Sequence, residues 1–351
     1  MASWMSSLEN SKQILDFVTV TFGEELGLLQ LQARSFARYM PPGLVGQIVV
    51  VVNEGDDGEA FPHIREHVVP LYGCHAPKVL IVERSKLCGD YGFKHSGWIS
   101  QQVLKLLAGR LVQTKSYVVL DTKNHFTRPL KPKDFWASNG KLKHRRANLA
   151  YPKRAGFFGW LTRPKPGKLP RRYVGSMAYF GLDPNIFAAA CVPKTTPFPL
   201  NAQLVRELID DIEEREGVGF PQWFEAYFEA TEFYLVQSYA AYRGYQFEDI
   251  YEPSKSGVLV LYPEAKKRLA NVKTTLRDFG SNDRYFCLGV HRKLAPCLTQ
   301  ENKQALTDFW LDRGLIEQGQ DFDQVLSPPA SVFGTKRNTQ ADDNHAGGEA
   351  T

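Results

Sequence analysis

Tyr117-Val-Val-Leu-Asp-Thr-Lys-Asn-His125 decides the fold of this chain. A short, largely apolar and β-branched run ends in one carboxylate, Asp121, and polar residues with a proline follow at once. Such a run reads as a strand covered on both faces, the pattern of a parallel sheet. In open α/β proteins ligands sit outside the carboxyl ends of the strands, where Asp121 would stand. Lys123, two residues on, puts a cation beside it.

Working outward, the same rhythm recurs. Residues 14–22 read as a first strand, followed by Gly23 and a helix over about 24–39. Gln47 to Val52 is a second β-branched run, and a helix over 59–72 leads to a strand at 78–83. A helix over about 97–113 then leads into the Asp121 strand; Ile99, Val103, Leu106 and Leu107 share one face of it. Its Gln101, Gln102 and Lys105 lie nearer the N-terminus, the end that meets either a ligand cleft or solvent. Strands alternating with helices of this length imply right-handed βαβ units and a mostly parallel sheet flanked by helices.

After Asp121 the rhythm breaks. A basic, Pro- and Gly-rich insertion covers about 135–173, a strand is expected around 174–180, and helices around 202–215 and 231–243. A last helix starts near Gln300, with Trp310 towards its end. We expect a short N-terminal extension over 1–13, one α/β domain over 14–333 with C-terminal helical additions, and a polar, disordered tail over 334–351.

The chain has 351 residues, 43% of them hydrophobic and 12% aromatic, enough for a substantial core. Its five cysteines are scattered with no Cys-x-x-Cys, which favours reduced thiols and a cytoplasmic setting over a disulfide framework. No basic start with an apolar run opens the sequence, and no stretch approaches a membrane span. Net charge is +5, but residues 135–182 hold eleven Lys and Arg and no acid, so the remainder is at −6.

That basic segment, with Tyr151, Phe157, Phe158 and Trp160 interleaved, has three readings. It is a nucleic-acid surface, a solvated loop, or a lid meeting an anionic acceptor or lipid headgroups. No recognition helix or zinc-finger signature accompanies it, so an anionic acceptor or peripheral contact at the inner membrane face, through 141–172, ranks above nucleic acid. His63-Ile-Arg-Glu-His67 matches a zinc-peptidase pattern, but five residues are easily met by chance, and a solvated helix face is the better reading.

Several motifs stand in a telling order: Val-Thr-Phe-Gly at 20–23, Gly-Trp-Ile-Ser-Gln-Gln-Val-Leu-Lys-Leu at 97–106, and the Asp121 stretch. Thr-Pro-Phe-Pro-Leu at 196–200, Trp223, and Thr-Glu-Phe-Tyr-Leu at 231–235 follow. Together they resemble a bacterial family of unassigned function related to GT-A-fold glycosyltransferases, some found with surface-polysaccharide genes. The resemblance covers most of residues 14–311.

It implies a nucleotide-sugar donor and a glycan or glycolipid acceptor. Thr19, Thr21 and Phe22 would lie near the nucleotide, and Asp121 near ribose and diphosphate. Gln102, Lys105, Asn124, His291 and Arg292 complete the expected donor-binding set. Glu232 would take the proton from the acceptor hydroxyl, or else be an N-terminal helix acid with Thr231 as its cap. The family pattern pairs Asp121 with a second aspartate to hold manganese or magnesium, and here that place is taken by Lys123.

Three readings of Lys123 follow. Its ammonium supplies part of the charge a metal would; or it faces solvent while Asp121 with Asn124 or His125 still holds a metal; or the fold is retained without catalysis. Glycosyl transfer through Asp121, Lys123 and Glu232 is the leading function. A non-catalytic binding or assembly protein and a nucleic-acid-binding protein are the alternatives.

Overall fold

The computed structural model describes residues 13–54, 59–94, 97–149, 169–193, 195–255 and 257–327. The expected tail, nearly all of the N-terminal extension, and residues 150–168 of the basic segment lie outside these.

The β-branched runs form the centre. β1 (Leu15–Thr21) is buried at every position, and β2 (Val45–Val52), β3 (Val79–Glu83) and β4 (Ser116–Asp121) join it in one sheet. Stiff, branched side chains suit a pleated surface packed on both faces. The order is β3-β2-β1-β4-β7, parallel except for β7 (Phe198–Asn201), which runs antiparallel to β4. The chain steps outward from β1 to β3 and then returns to the other side of β1 as β4. That reversal creates a switch point at the carboxyl ends of β1 and β4, where open α/β sheets bind ligands.

Helix α1 (Leu26–Tyr39) connects β1 to β2 and buries Leu29, Ala33 and Phe36 at i, i+4 and i+7. The Phe36 ring meets the β1 ring of Phe17 edge-on at 5.1 Å. α2 (Gly97–Leu107) leads to β4 and buries the predicted face of Ile99, Val103, Leu106 and Leu107. It ends earlier than expected, in a tight turn over Ala108–Arg110.

Two expectations are overturned. The helix foreseen over 59–72 is a single α-turn (Ala60–His63), a wider turn (Ile64–Val68) and a tighter one reaching Lys78. Pro70 sits at the start of that last turn and Gly73 breaks it with φ 57°, so no regular helix survives. The strand foreseen around 174–180 is α3 (Arg171–Tyr179). Pro170 precedes its first turn, and Tyr173, Ser176 and Met177 are buried at helical rather than alternating spacing. Gly175 lets this helix approach closely, since a Cβ there would stand 2.3 Å from the Glu229 carbonyl.

α4 (Ala202–Glu216), α5 (Phe220–Tyr227) and α6 (Glu232–Tyr242) follow. Short strands build two further sheets: β5 (Asn124–Phe126), β10 (Cys287–Val290) and β9 (Val258–Leu261) in one, β6 (Leu142–Arg145) and β8 (Tyr251–Ser254) in the other. The C-terminal helices α7 (Val272–Gly280) and α8 (Gln300–Asp312) close a second hydrophobic cluster over β9 and β10. In it Trp310 lies parallel to Phe322, with ring centroids 5.8 Å apart.

Candidate active site at the switch point

The turn after β4 is held from beneath. The Gln32 side chain on α1 donates to the carbonyls of Asp121 (3.0 Å) and Asn124 (2.9 Å), and accepts from the Thr19 hydroxyl (2.8 Å). Asn124 Oδ1 accepts from the Asp121 backbone N–H (2.8 Å), and the Thr122 hydroxyl donates to the Val20 carbonyl (3.1 Å). Residues 121–124 are therefore fixed to both β1 and α1, and the Asp121 carboxylate is presented at the rim.

Both of its oxygens are engaged. Oδ1 takes the Lys105 ammonium of α2 at 2.7 Å; Oδ2 takes Lys123 and, at 2.8 Å, the Thr196 hydroxyl. Lys105 also reaches Glu232 Oε1 at 3.2 Å, so one buried ammonium bridges two carboxylates. Gln102, one turn earlier on the same face, accepts from the Glu232 backbone N–H (3.3 Å). Burial by itself would raise the Asp121 carboxyl, yet the two ammoniums hold it well below the usual carboxylate range. Burial would lower both lysines, and the carboxylates override it and raise them.

A second layer lies on the β10 side. The Val290 N–H donates to the Lys123 carbonyl (3.1 Å), which sets His291 and Arg292 beside the turn. His291 Nδ1 accepts from the Lys293 N–H (3.1 Å), so the ring proton sits on Nε2. Burial and the neighbouring cations, Lys123 first, push this imidazole down to about 4 and keep it neutral. Arg292 lies over the Phe22 ring at 5.2 Å and pairs with Glu24 at 2.6 Å. The Glu25 carboxyl is raised by burial against the pull of Thr122, Lys123 and Arg292. Tyr262 joins this layer, with its ring centroid 5.6 Å from the Lys123 ammonium and 6.0 Å from the His291 ring.

The expected residues thus fall into three groups. Asp121, Lys123, Lys105, Glu232 and Gln102 form one connected cluster. Phe22, His291 and Arg292 stand beside it. Thr19 and Asn124 are buried and their side chains brace Gln32 and the turn, so neither offers a group to a ligand. Thr21 is likewise fully buried, and its hydroxyl has no partner. Thr231 does not cap α6, because its hydroxyl makes no hydrogen bond.

A divalent metal does not fit these residues. Asp121 has no oxygen free of an ammonium, because Lys105 takes Oδ1 and Lys123 takes Oδ2. His125, the other candidate ligand, is buried with Nε2 accepting from Trp310 Nε1 at 3.0 Å, and burial pushes it down to about 3. Among the described residues, no group of three or more His, Cys, Asp or Glu is placed to hold an ion. His63 and His67 do face each other, with ring centroids 4.7 Å apart, without a third ligand.

The sequence reading missed Gln32, Glu25, Tyr262 and the role of Thr196. Gln32 carried a signal, a polar residue set in the apolar stretch of α1. Thr196 lay inside a quoted motif, but nothing local shows that its hydroxyl crosses to Asp121.

The described part of the basic segment is partly neutralised from afar, Arg146 by Glu248 (2.8 Å) and Arg171 by Glu229 (2.5 Å). Lys143 joins Lys133, Lys255 and Arg284 around a separate open groove of about 630 Å³. All five cysteines are free thiols. No described helix is long and apolar enough to cross a membrane.

The sequence matches DUF6492, a family of unknown function, over residues 19–266. The chain belongs to this family. No curated protein matches this DUF6492 member by sequence. Solved structures similar to it include the galactosyltransferase LgtC in complex with donor and acceptor sugar analogs, at 9% identity and TM-score 0.46, covering 87% of this chain and 98% of that one. An active-site mutant of LgtC gives 10% identity and TM-score 0.48, covering 89% and 100%. The apo-form glycosyltransferase GlyE of Streptococcus pneumoniae TIGR4 gives 12% identity and TM-score 0.39 over 89% of this chain. The DUF6492 chain spans 62% of the GlyE chain's length.

Proposed function

We propose that the protein transfers a sugar from a nucleotide-sugar donor to a hydroxyl of a glycan or glycolipid acceptor. Surface polysaccharide is the acceptor class suggested by the motif resemblance. One observation carries the reading: two carboxylates, Asp121 and Glu232, share the buried Lys105 ammonium at the sheet's switch point. Such a pair divides the work. Asp121, held ionised, stands at the donor's ribose end. Glu232 accepts the acceptor hydroxyl's proton as the hydroxyl oxygen bonds the sugar's anomeric carbon and the bond to the nucleoside diphosphate breaks, the diphosphate leaving as an anion. Lys105 positions both carboxylates, and Gln102 fixes the backbone from which Glu232 projects.

Thermal shift with UDP, GDP and their sugar conjugates tests the first step, and failure of every donor to stabilise the protein refutes the proposal. Glu232→Gln is expected to keep donor binding and lose transfer. Unimpaired transfer removes Glu232 as the base.

A second reading is favoured by the same ion cluster. Because Lys105 and Lys123 between them neutralise both carboxylates, a ligand-binding protein without turnover also accounts for the site. Donor binding in the wild type with no transfer to any glycan acceptor supports that reading.

A further inference from the structure

The region beside Asp121 holds a set of donors that the ion cluster does not use. Lys123 has three N–H groups and one carboxylate partner, leaving two. Its side chain stays partly open to solvent at the rim. His291 keeps the proton on Nε2, because Nδ1 is committed to the Lys293 N–H. Arg292 has five N–H donors; it gives one to Glu24, whose side chain is about half exposed, and its Nε lies 3.9 Å from the Glu25 carboxyl. An exposed ion pair of that kind contributes little, so a bound anion exchanges for Glu24 at small cost.

These groups come from two adjoining segments. The Lys123 carbonyl accepts from the Val290 N–H, which joins the β4–β5 turn to the end of β10. An ammonium, a guanidinium and a neutral imidazole N–H gathered on one rim match an extended anion with several acceptor oxygens better than a single carboxylate. Glu25 is the remaining carboxyl in contact with this layer; burial raises it against the pull of Thr122, Lys123 and Arg292.

We propose that Lys123, His291 and Arg292 form a diphosphate cradle that works with fixed cations in place of a divalent metal. The identification of the diphosphate as part of a nucleotide rests on the glycosyltransferase reading; the cradle itself rests on the donors just counted. Lys123 then has a double role, neutralising Asp121 on one side and meeting phosphate oxygens on the other. No proton is transferred and no bond is made in this step.

Calorimetric titration of the full chain with UDP, GDP and inorganic pyrophosphate, in EDTA and again in manganese, tests it. The expected result is binding of all three in EDTA, with affinity changed less than about threefold by manganese. Lys123→Met is expected to weaken each at least tenfold. Arg292→Met, at a more exposed position that leaves the Asp121 cluster intact, is expected to weaken each several-fold and serves if the first variant folds poorly. Free manganese, followed by its spin-resonance signal, is expected to stay unbound by the protein alone.

Nucleotide binding that appears only with manganese overturns the cradle and leaves the glycosyltransferase reading standing. Pyrophosphate binding that depends on Lys123, without tighter binding of UDP or GDP, keeps the cradle and removes the nucleotide. Wild-type affinity in both variants, or no binding of any of the three, overturns the cradle.

Discussion

Lys105→Met is the most informative single change, because it removes the charge that joins the two carboxylates. Lys105 is nearly inaccessible, and both ion-pair distances are short. Taking one partner from a buried pair costs about 3–5 kcal/mol, since the other charge is left without compensation. Asp121 is protected from most of this, as it keeps Lys123 and the Thr196 hydroxyl. Glu232 is not: among the described residues it pairs with no other cation. We therefore expect about 3 kcal/mol, the lower end of the range. For chains of 150–250 residues each kcal/mol moves Tm by roughly 2–4 °C, and by less in longer ones, so the drop is about 5 °C.

Urea unfolding of wild type, Lys105→Met, Glu232→Gln and the double variant measures the effect and its origin. The double variant is expected to recover 1 kcal/mol or more, because glutamine carries no charge to strand. Acidification supplies an independent check. A buried carboxylate without a partner has a raised pKa and neutralises early, so the deficit of Lys105→Met is expected to shrink below about pH 5. In the wild type the Asp121 carboxyl is depressed, so its stabilisation is present above the ordinary carboxylate value of about 4 and fades as pH falls below it. The Lys105 ammonium is raised, so its contribution holds up to its ordinary value of about 10 and fades only as pH rises beyond. The Asp121 and Lys105 contributions are therefore flat above about pH 4, where the deficit of the variant already begins to shrink. A Lys105→Met protein within 0.5 kcal/mol of wild type at pH 7, or a deficit untouched by both Glu232→Gln and acid, refutes the reasoning.

Other consequences are open to the same assays. His125 and His144 are both pushed by burial to about 3, while an unfolded imidazole titrates near 6.5, so acid favours the unfolded chain. Stability is expected to fall by roughly 2 kcal/mol per histidine between pH 7 and 4.5, and His144→Phe should reduce the slope by one proton; an unchanged slope argues against a buried neutral His144. Gly175→Ala places a methyl against the Glu229 carbonyl and is expected to cost about 1–3 kcal/mol by urea midpoint, where a neutral effect would mean α3 shifts freely. Phe228 is half exposed in the left-handed region at φ 49°, so Phe228→Gly is expected to stabilise by up to about 1 kcal/mol, and a loss of stability would show that its ring contacts outweigh the strain.

The sheet was legible because its signals are local. Val-rich runs at 47–52 and 117–120 match β2 and β4 almost to the residue, and the helix starting near Gln300 runs as expected to Trp310. Failures occurred where tertiary contacts decide. Val174 to Phe180 looks β-prone in isolation, yet packing of Tyr173 and Met177 against Tyr234 makes it a helix. The three- and four-residue strands β5, β6, β8, β9 and β10 are too short for a period to show, and each forms because a distant partner completes its ladder. For the site, sequence order pointed to Asp121, Lys105 and Glu232 separately. That one ammonium joins all three is a fact of α2 crossing between β4 and α6, and no spacing along the chain encodes it.

Lys123 gains its meaning from Lys105. Had Asp121 carried a single cation, that cation could be read as a substitute for a missing ion and nothing more. With Lys105 reaching Asp121 from the buried side but shared with Glu232, the two lysines balance the two carboxylates, and two N–H donors of Lys123 remain. In the cradle proposed above, those two donors meet the oxygens of an anion arriving from solvent. Among the described residues Glu232 has one ammonium partner, Lys105, which it shares with Asp121. The cluster therefore has two ends, the Lys123 ammonium beside β10 and the Glu232 carboxylate on α6. In the proposed glycosyl transfer the donor diphosphate would meet the first end and the acceptor hydroxyl the second.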